Sequence, residues 1–311
     1  MTALLFITGA TGFVGRRLVD ALVRANVTDV RLLVRDVPKF AAPFVTPATW
    51  QCVSGSLDTP AVWHDSLRGV QTVVHLASSS GKVSKAAHEQ AIVRGTEELV
   101  AASRNAGVTR FLYVSSVAAG FADRRYYHYA EAKRQAEALV RASGLDTLIV
   151  RPTMVFGAGS PVLAGMRKLA KLPVPIVFGD GVPNVQPIHV DDLAALLVLA
   201  LDESLPWGGA TISAGGADVI PTEALLRRLR GGATSDTRFR HVPVDPLRAL
   251  LALVEPVLLP LLPFTAGQLT SFVNRSDAGP PAPLLATLLA RLSPPLRGLD
   301  AMLPSDESRA T

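Results

Sequence analysis

The sequence has 311 residues, of which 49% are hydrophobic and 18% are charged, with a formal net charge of +5. This composition excludes a disordered chain and leaves room for one large domain or two moderate ones. The basic residues are spread along the chain, which argues against a nucleic-acid partner. The only cysteine, Cys52, excludes an internal disulfide, and the first predicted strand begins almost at once, leaving no room for a signal peptide. We therefore expect a cytoplasmic protein.

Predicted strands and helices alternate through the first half of the chain. Apolar runs typical of buried strands cover residues 4–8, 30–34, 50–53, 70–76, 111–114 and 147–150. Helical spacing of apolar residues covers 15–25, 88–106 and 130–142, with Asn26 and Gly144 as helix stops. The alternation predicts an α/β fold, a Rossmann-type doubly wound parallel sheet. Beyond residue 152 proline and glycine become more frequent, which we interpret as a smaller, mostly helical substrate domain.

A glycine-spaced turn follows the first predicted strand and opens the first predicted helix. Glycines at this spacing let the backbone turn sharply, approach a pyrophosphate and pack the helix against its strand. The helix N-terminus then presents free N–H groups and a positive dipole end to the phosphates. We predict that a dinucleotide contacts the residues of this turn: Gly9, Thr11, Gly12, Phe13, Val14 and Gly15.

The residue at the end of the second predicted strand indicates which dinucleotide is bound. An acid at this place would bond the ribose 2′-hydroxyl of NAD, whereas an arginine pairs with the 2′-phosphate of NADP. Arg35 stands there, and Asp36 follows it. We therefore favour NADP(H), with NAD(H) as the alternative through Asp36. After the third strand, Ser56 and Leu57 are placed either to reach the adenine or to form an ordinary turn and helix cap.

The reacting groups are predicted on and just before the helix at 130–142. Tyr129 is the only tyrosine of this segment with a lysine, Lys133, four residues later, on the same helix face. A neighbouring ammonium favours the phenolate, so we expect it to lower the tyrosine pKa from about 10 toward useful pH. A strand ending in Ser115 and Ser116 precedes the pair. We favour Ser116 over Ser115 as the hydroxyl that holds a substrate oxygen against the phenol.

Residues 249–264 are nearly all apolar but contain Glu255 and three prolines. A membrane-spanning helix needs about 20 apolar residues, and prolines at this density would break it. We interpret the segment as broken helices that line or cover an apolar cavity, with peripheral membrane contact as the alternative.

Three further segments, residues 74–77, 151–157 and 187–193, complete a set of motifs. Together with the glycine turn, the serine and the Tyr–Lys pair, they make the chain similar to the extended short-chain dehydrogenase/reductases, the epimerase/dehydratase-like branch, up to about residue 230. The resemblance implies the following division: a nucleotide domain at 1–155 with a return near 188–214, a substrate-binding part at 156–187 and 215–304, and a flexible tail at 305–311.

The resemblance also implies hydride transfer at the nicotinamide. Tyr129 would exchange the proton, Lys133 would hold the nicotinamide ribose and tune the phenol, and Ser116 would orient the reacting oxygen. Members often form homodimers through the helices around the Tyr–Lys segment. No cluster has metal-ligand spacing, so no metal is expected. Further cofactor contacts implied by the resemblance are Leu76, Ala77, Ser78, Pro152 and Val155.

Departures from the family pattern narrow the range of expected reactions. The acidic pair of dehydratases is replaced by residues 117–119, Val-Ala-Ala, and Ile92 stands where many members have an active-site asparagine. The leading interpretation is an NAD(P)-dependent alcohol dehydrogenase or carbonyl reductase acting on an apolar small molecule. A nucleotide-sugar epimerase with tightly bound NAD is one alternative, and it would need a second diphosphate site on these residues: Arg227, Arg228, Arg230, Arg238 and Arg240.

A non-catalytic NADP(H)-binding accessory or sensor protein is the other alternative. Residues 262–269 look like relatives of the nucleotide-binding accessory subunit of respiratory complex I. A pure binder has no need of Tyr129 with Lys133, so their presence favours catalysis.

Overall fold

A computed structural model of the chain describes residues 3–41, 46–231, 238–262 and 264–303. The strands are β1 (Leu5–Thr8), β2 (Val30–Val34), β3 (Gln51–Ser54), β4 (Thr72–His75), β5 (Arg110–Val114), β6 (Asp146–Pro152), β7 (Val155–Phe156), β8 (Ile176–Phe178), β9 (Asn184–Val185), β10 (Ile188–His189), β11 (Thr211–Ala214), β12 (Ile220–Pro221) and β13 (Arg240–Val242). The predicted tail at 305–311 lies outside the described residues.

Seven strands form one parallel sheet in the order β11-β6-β5-β4-β1-β2-β3. The order reverses at β1, with the early strands on one side and the later strands on the other. Ile7 of β1 pairs with Leu32 on one side and with Val74 on the other. This topology confirms the Rossmann-type doubly wound sheet. Three two-stranded sheets, β10-β7, β12-β9 and β13-β8, lie outside it.

Helices cover both faces of the sheet. The α-helices are α1 (Phe13–Arg24), α2 (Val37–Ala41), α3 (Pro60–Trp63), α4 (Lys85–His88), α5 (Gly95–Asn105), α6 (His128–Arg141), α7 (Pro161–Ala170), α8 (Val190–Ala200), α9 (Thr222–Gly231), α10 (Val244–Leu258), α11 (Ala266–Thr270), α12 (Pro283–Arg291) and α13 (Leu299–Met302). A π-helical segment, Glu89–Arg94, links α4 to α5, and Val117–Gly120 forms a 3₁₀ turn after β5.

Two hydrophobic cores lie on opposite faces of the sheet. Successive residues of a strand point to opposite faces, so Ile7 enters one core and Phe6 the other. Leu18 of α1 and Leu193 of α8 join the first core, and Leu99 of α5 joins the second. Both faces are therefore buried, and this explains why the strands read as nearly continuous apolar runs.

A third core belongs to the later part of the chain. Phe178 of β8, Leu225 of α9, Leu251 of α10 and Leu269 of α11 pack together there, around the fully buried Phe156 of β7. The elements that supply this core are mostly helices and two-stranded sheets, as predicted for the smaller C-terminal part.

Several boundaries differ from the predicted ones for local reasons. The first helix begins at Phe13, two residues early, because Gly12 already serves as its N-cap. The helix predicted at 88–106 begins at Lys85 and contains the π-helical segment. Helix α8 is capped by His189, whose Nδ1 accepts a hydrogen bond from the Asp191 N–H at 3.2 Å.

The apolar segment at 249–264 also differs from its prediction. Helix α10 runs through Pro256 to Leu258, so it is not broken there. A proline removes one helical N–H bond, but near the helix end that loss affects only the last turn. Side chains of this segment face solvent instead of a cavity; Leu253 is 77% exposed and Val257 is 81% exposed. The expected cavity-lining role is therefore wrong for these side chains.

Candidate active site

The glycine turn of β1 and α1 has no room for side chains. Gly9 has a φ of +78°, and a Cβ there would lie 2.5 Å from the Ala77 backbone nitrogen. A Cβ on Gly15 would lie 2.1 Å from the Gly9 carbonyl oxygen. The turn closes with a 3.0 Å hydrogen bond from the Gly12 N–H to the Gly9 oxygen. The first turn of α1 holds no acidic residue, and no side chain caps its N–H groups. These features fit a pyrophosphate.

The carboxyl ends of β1 and β4 meet beside this turn, where the strand order reverses. The Leu76 N–H donates to the Thr8 carbonyl oxygen at 3.1 Å, which places Leu76 and Ala77 against Gly9. His75 is fully buried and bonds Thr8 Oγ1 at 2.7 Å and Thr96 Oγ1 at 3.0 Å. Burial and repulsion from Lys133 lower the pKa of His75 to about 3, so the ring is neutral and structural. Crevices at such a reversal are where doubly wound sheets bind ligands.

Three predicted adenosine contacts follow β2 and β3. Arg35 follows β2 and is exposed, and its guanidinium forms no ion pair with the residues that the structure describes. The Ser56 carbonyl oxygen accepts hydrogen bonds from Thr59 and from the Trp63 indole at 2.9 Å, as an ordinary turn would. The Leu57 side chain packs against Gly95, where a Cβ would lie 3.0 Å from its Cδ1. The Arg35 guanidinium is therefore available at this edge to donate hydrogen bonds to a ligand.

The predicted reacting residues come together at the end of β5 and the start of α6. Ser116 lies beside Tyr129, close enough to influence the pKa of the phenol, and its Oγ accepts a hydrogen bond from the Ala118 N–H at 3.2 Å. Lys133 is 1% exposed, its Nζ donates to the Val114 carbonyl oxygen at 2.9 Å, and it lies 6.0 Å from the centre of the Tyr129 ring. Ser115 instead donates to the buried Glu137 carboxylate at 2.7 Å. The two adjacent serines therefore have different partners, one in the site and one beneath it.

The pKa values of Tyr129 and Lys133 differ from the expectation. Burial raises the pKa of Tyr129, and the nearby Ser116 hydroxyl offsets only part of that effect, so the expected lowering is wrong for the chain as described. Burial also lowers the pKa of Lys133 to about 7, although Glu137 opposes the shift. At neutral pH Tyr129 is therefore a protonated phenol, which donates a proton and does not accept one.

A buried carboxylate under the site, that of Glu137, was not predicted from the sequence. Glu137 has a fully buried side chain and accepts hydrogen bonds from Arg151 at 2.6 and 2.7 Å, from Arg141 at 2.9 Å and from Ser115. Burial alone would raise its pKa, but these donors outweigh burial and lower it. The resulting ion network ties α6, which carries Tyr129, to β5 and β6. Its sequence signal was present: Glu137 lies four residues after Lys133, on the same helix face.

A second missed residue, His88, lies directly beside the phenol. It is 4% exposed, its ring packs edge-on against Tyr129 with centres 5.7 Å apart, and its Nδ1 bonds Ser79 Oγ at 2.8 Å. Burial and repulsion from His128 lower the pKa of His88 to about 4, so this ring is neutral as well. Ile92, at the place of the family's asparagine, is fully buried in the core. His88 and Tyr129 are about forty residues apart in the sequence, so helical spacing rules could not place this ring beside the phenol.

The remaining predicted contacts are spread around the same edge. Pro152 ends β6, and Val155 begins β7. Most of the arginines weighed as a second diphosphate site have protein partners. Arg227 pairs with Glu223 at 2.6 Å, and Arg230 donates to two carbonyl oxygens, of Ala170 and Leu172.

Comparison with known proteins identifies the family. A family described as NAD(P)H-binding matches residues 9–203, which is more than half of the chain. The chain belongs to this NAD(P)H-binding family. A ceramide reductase of Caulobacter vibrioides is 36% identical over 62% of this chain and 59% of its own. A 4-hydroxy-2-methyl-3-oxo-4-farnesyl-3,4-dihydroquinoline-1-oxide ketoreductase of Stigmatella aurantiaca is 33% identical over 49% of this chain and 50% of its own. The chain thus matches between half and three fifths of the length of these relatives.

A solved structure agrees on the fold. The dTDP-glucose 4,6-dehydratase from Streptomyces venezuelae, determined with NAD, superposes with a TM-score of 0.64 at 22% identity, over 77% of this chain and 84% of that one. Relatives of this family are extended short-chain dehydrogenase/reductase-type enzymes, which confirms the resemblance given by the motifs.

No helix among residues 3–41, 46–231, 238–262 and 264–303 is long and apolar enough to span a membrane. Over the same part of the chain, no group of three metal-ligating side chains comes together.

Proposed function

We propose that this NAD(P)H-binding protein is a carbonyl reductase that uses NADP(H) and the residues Ser116, Tyr129 and Lys133. The observation that carries the proposal is the grouping of the Ser116 hydroxyl, a Tyr129 phenol whose pKa is raised by burial, and the Lys133 ammonium 6.0 Å from the phenol ring centre. When bound, the nicotinamide supplies the hydride. The substrate oxygen would then sit between two hydroxyl groups and receive the phenolic proton, which is the reductive direction.

Lys133 has a positioning and electrostatic role in this proposal. Its ammonium is held by the Val114 carbonyl oxygen, and burial makes its charge sensitive to added negative charge. A phenolate formed on Tyr129 would favour the protonated lysine, since opposite charges raise the pKa of an ammonium. Lys133 would thus stabilise the phenolate left after proton transfer and hold the ribose of the dinucleotide.

NADP(H) is proposed over NAD(H) because of Arg35. Its exposed guanidinium directly follows β2, and a guanidinium suits a phosphate because it can form two parallel, charge-assisted hydrogen bonds. We propose the division of the chain given by the motifs, with 1–155 and 188–214 for the cofactor and 156–187 and 215–304 for the substrate.

An apolar substrate is supported by the compounds that two relatives are named for. Ceramide and a farnesylated quinoline are both largely apolar molecules. The epimerase alternative has less support, because Arg227 and Arg230 already bond protein groups.

Replacing Tyr129 by phenylalanine tests the proposal. Loss of the proton donor should reduce NADPH-dependent reduction of apolar ketones and aldehydes by roughly 10²- to 10⁴-fold. Calorimetry should show NADPH affinity unchanged, because the glycine turn and Arg35 remain. The matched control is Tyr126→Phe, since Tyr126 is 42% exposed and outside the serine contact.

Unchanged turnover in Tyr129→Phe would exclude this mechanism. If the wild type binds NADPH but reduces none of the carbonyls, the protein is an NADP(H)-binding accessory or sensor. Tight NAD(H) that resists removal would favour the epimerase.

A further inference from the structure

The outward side of α10 and the turn after it carries a row of large apolar side chains, which we term the α10 apolar face. Its members lie at spacings of three and four along the helix, so they share one side. Their exposed fractions run from 40% to 81%, in these residues: Leu250, Leu253, Val257, Leu258 and Leu261. Exposed apolar patches of this extent on a single chain indicate a contact surface.

This face contains no outward charge. Glu255 is the only ionisable residue between 249 and 262. Its carboxylate accepts a hydrogen bond from the Ala266 N–H and so faces α11. Water therefore meets only hydrocarbon over most of this surface.

Cations border the C-terminal end of the face. Lys82 Nζ donates to the carbonyl oxygens of Leu262 at 2.8 Å and Pro260 at 3.4 Å. Exposed Lys85 lies near His128, which interacts with Glu255 of α10; burial and Lys85 lower the pKa of His128, so the lysines are the cations of this border. An apolar surface with a basic border matches a bilayer that carries anionic headgroups.

Helices α10 and α11 pack close to Tyr129. Helix α11 follows α10 and presses on Tyr127, because a Cβ on Gly267 would lie 2.8 Å from the Tyr127 ring. The Tyr127 and Tyr129 ring centres are 5.9 Å apart. Buried Arg248 of α10 also donates to Asp123, in the loop before α6, at 2.7 Å. The α10 apolar face and the phenol thus belong to one packed unit.

We propose that the α10 apolar face docks on an anionic lipid bilayer, from which a membrane-dissolved carbonyl compound reaches Tyr129. The second half of this statement rests on the proposed reductase function, whereas the docking does not. A second copy of the chain is a poorer occupant, because its identical face would offer hydrocarbon and cations but no anionic group. Docking would lay α10 flat in the headgroup region, since no described helix can cross the membrane.

Vesicle flotation of the full chain tests the docking without any substrate. Vesicles of phosphatidylcholine alone are compared with an equal mixture of phosphatidylcholine and phosphatidylglycerol. Wild type should float with the mixed vesicles, and the double substitution Leu253→Asp with Val257→Asp should lower the partition coefficient roughly tenfold or more. Lys82→Gln should weaken binding to the mixed vesicles alone, because it removes one cation from the border.

Val62→Asp is the matched control, since Val62 is 58% exposed on α3 in the cofactor region. Circular dichroism melting checks that every variant is folded, and the exposure of both α10 positions makes unfolding unexpected. Wild type that stays unbound, or a double variant that floats as well as Val62→Asp, would overturn the docking. Light scattering that shows a dimer lost in the double variant would assign the face to a second copy instead.

The outcome is separable from that of the reductase proposal. Reduction of a short, water-soluble aldehyde should be the same in wild type and the double variant, whereas Tyr129→Phe should float normally and reduce the aldehyde roughly 10²- to 10⁴-fold more slowly. Flotation together with an active Tyr129→Phe would retain the docking and reject the catalytic assignment.

Discussion

The sheet region and the α10 region use apolar residues in different ways. In the sheet region, the strands send apolar side chains into two cores, and Phe6, Ile7 and Leu18 are all fully buried. In α10, Leu251 is 8% exposed while Leu253, two residues later, is 77% exposed. Hydrophobic sequence therefore indicates a core in the first region and both a core and a contact surface in the second. The following substitutions test how far this contrast extends.

The largest loss of stability is expected when a buried charge of the sheet region is removed. Glu137→Ala should lower the free energy of unfolding by about 3–5 kcal/mol, because it leaves Arg151 and Arg141 without their buried partner. Urea unfolding measures the change. Glu131→Ala is the control on the same helix: its pair with Arg134 is 2.7 Å long but 38–48% exposed, so its loss should cost at most about 1 kcal/mol. Equal costs for the two variants would show that burial is not the deciding factor.

A pair of leucines on α10 tests the contrast within one helix. Leu251→Ala should cost about 2–4 kcal/mol, because it opens a cavity in the third core. Leu253→Ala should change stability by less than about 0.5 kcal/mol in the absence of lipid. Both are measured by urea unfolding. A large cost at Leu253 would mean that this side chain is covered in the free protein, contrary to the exposed surface described above.

The buried histidines make the sheet region sensitive to acid. His75 has a pKa of about 3 when folded against 6.5 when unfolded. Between these values the unfolded chain binds a proton that the folded chain does not, so stability falls as pH falls below 6.5. From pH 7.5 to pH 5, His75 alone should account for a loss of about 2 kcal/mol. His75→Gln should lose about that much less than wild type over the same interval, as measured by urea unfolding. Identical losses would mean that His75 is protonated in the fold.

The smallest effect concerns cofactor selection. Arg35→Ala should weaken NADPH binding about tenfold, equivalent to about 1.4 kcal/mol, and leave NADH binding nearly unchanged. Calorimetric titration measures both. Arg24→Ala, an exposed arginine at the far end of α1, controls for net charge. An equal effect of the two substitutions on NADPH would indicate long-range charge and not a 2′-phosphate contact.

Much of the sheet region could be predicted because its signals are local. The strand periodicity and the spacing of Gly9, Gly12 and Gly15 are set by neighbours along the chain. The Tyr129–Lys133 pair was also visible, since it depends only on helical spacing. Homodimer formation, the cellular compartment and the exact cofactor stay predictions.

What could not be predicted depends on contacts between distant segments. His88 lies beside Tyr129 because α4 packs against α6, a contact between segments about forty residues apart that no helical spacing rule indicates. The raised pKa of Tyr129 follows from burial, which the sequence around Lys133 does not reveal. The exposure of Leu253 was missed for the same reason, because an apolar residue looks alike in a core and on a surface.

The late return of β11 to the sheet has a consequence for folding during synthesis. Residues 211–214 pair with β6, whose residues 146–152 leave the ribosome about sixty positions earlier. Until then, β6 is an edge strand with unpaired backbone groups and mostly apolar side chains, the kind of edge that invites aggregation. A nascent chain stalled near residue 155, or a truncated one ending there, should therefore depend on chaperones. A chain that extends through residue 214 can cover the edge of β6 with its own β11.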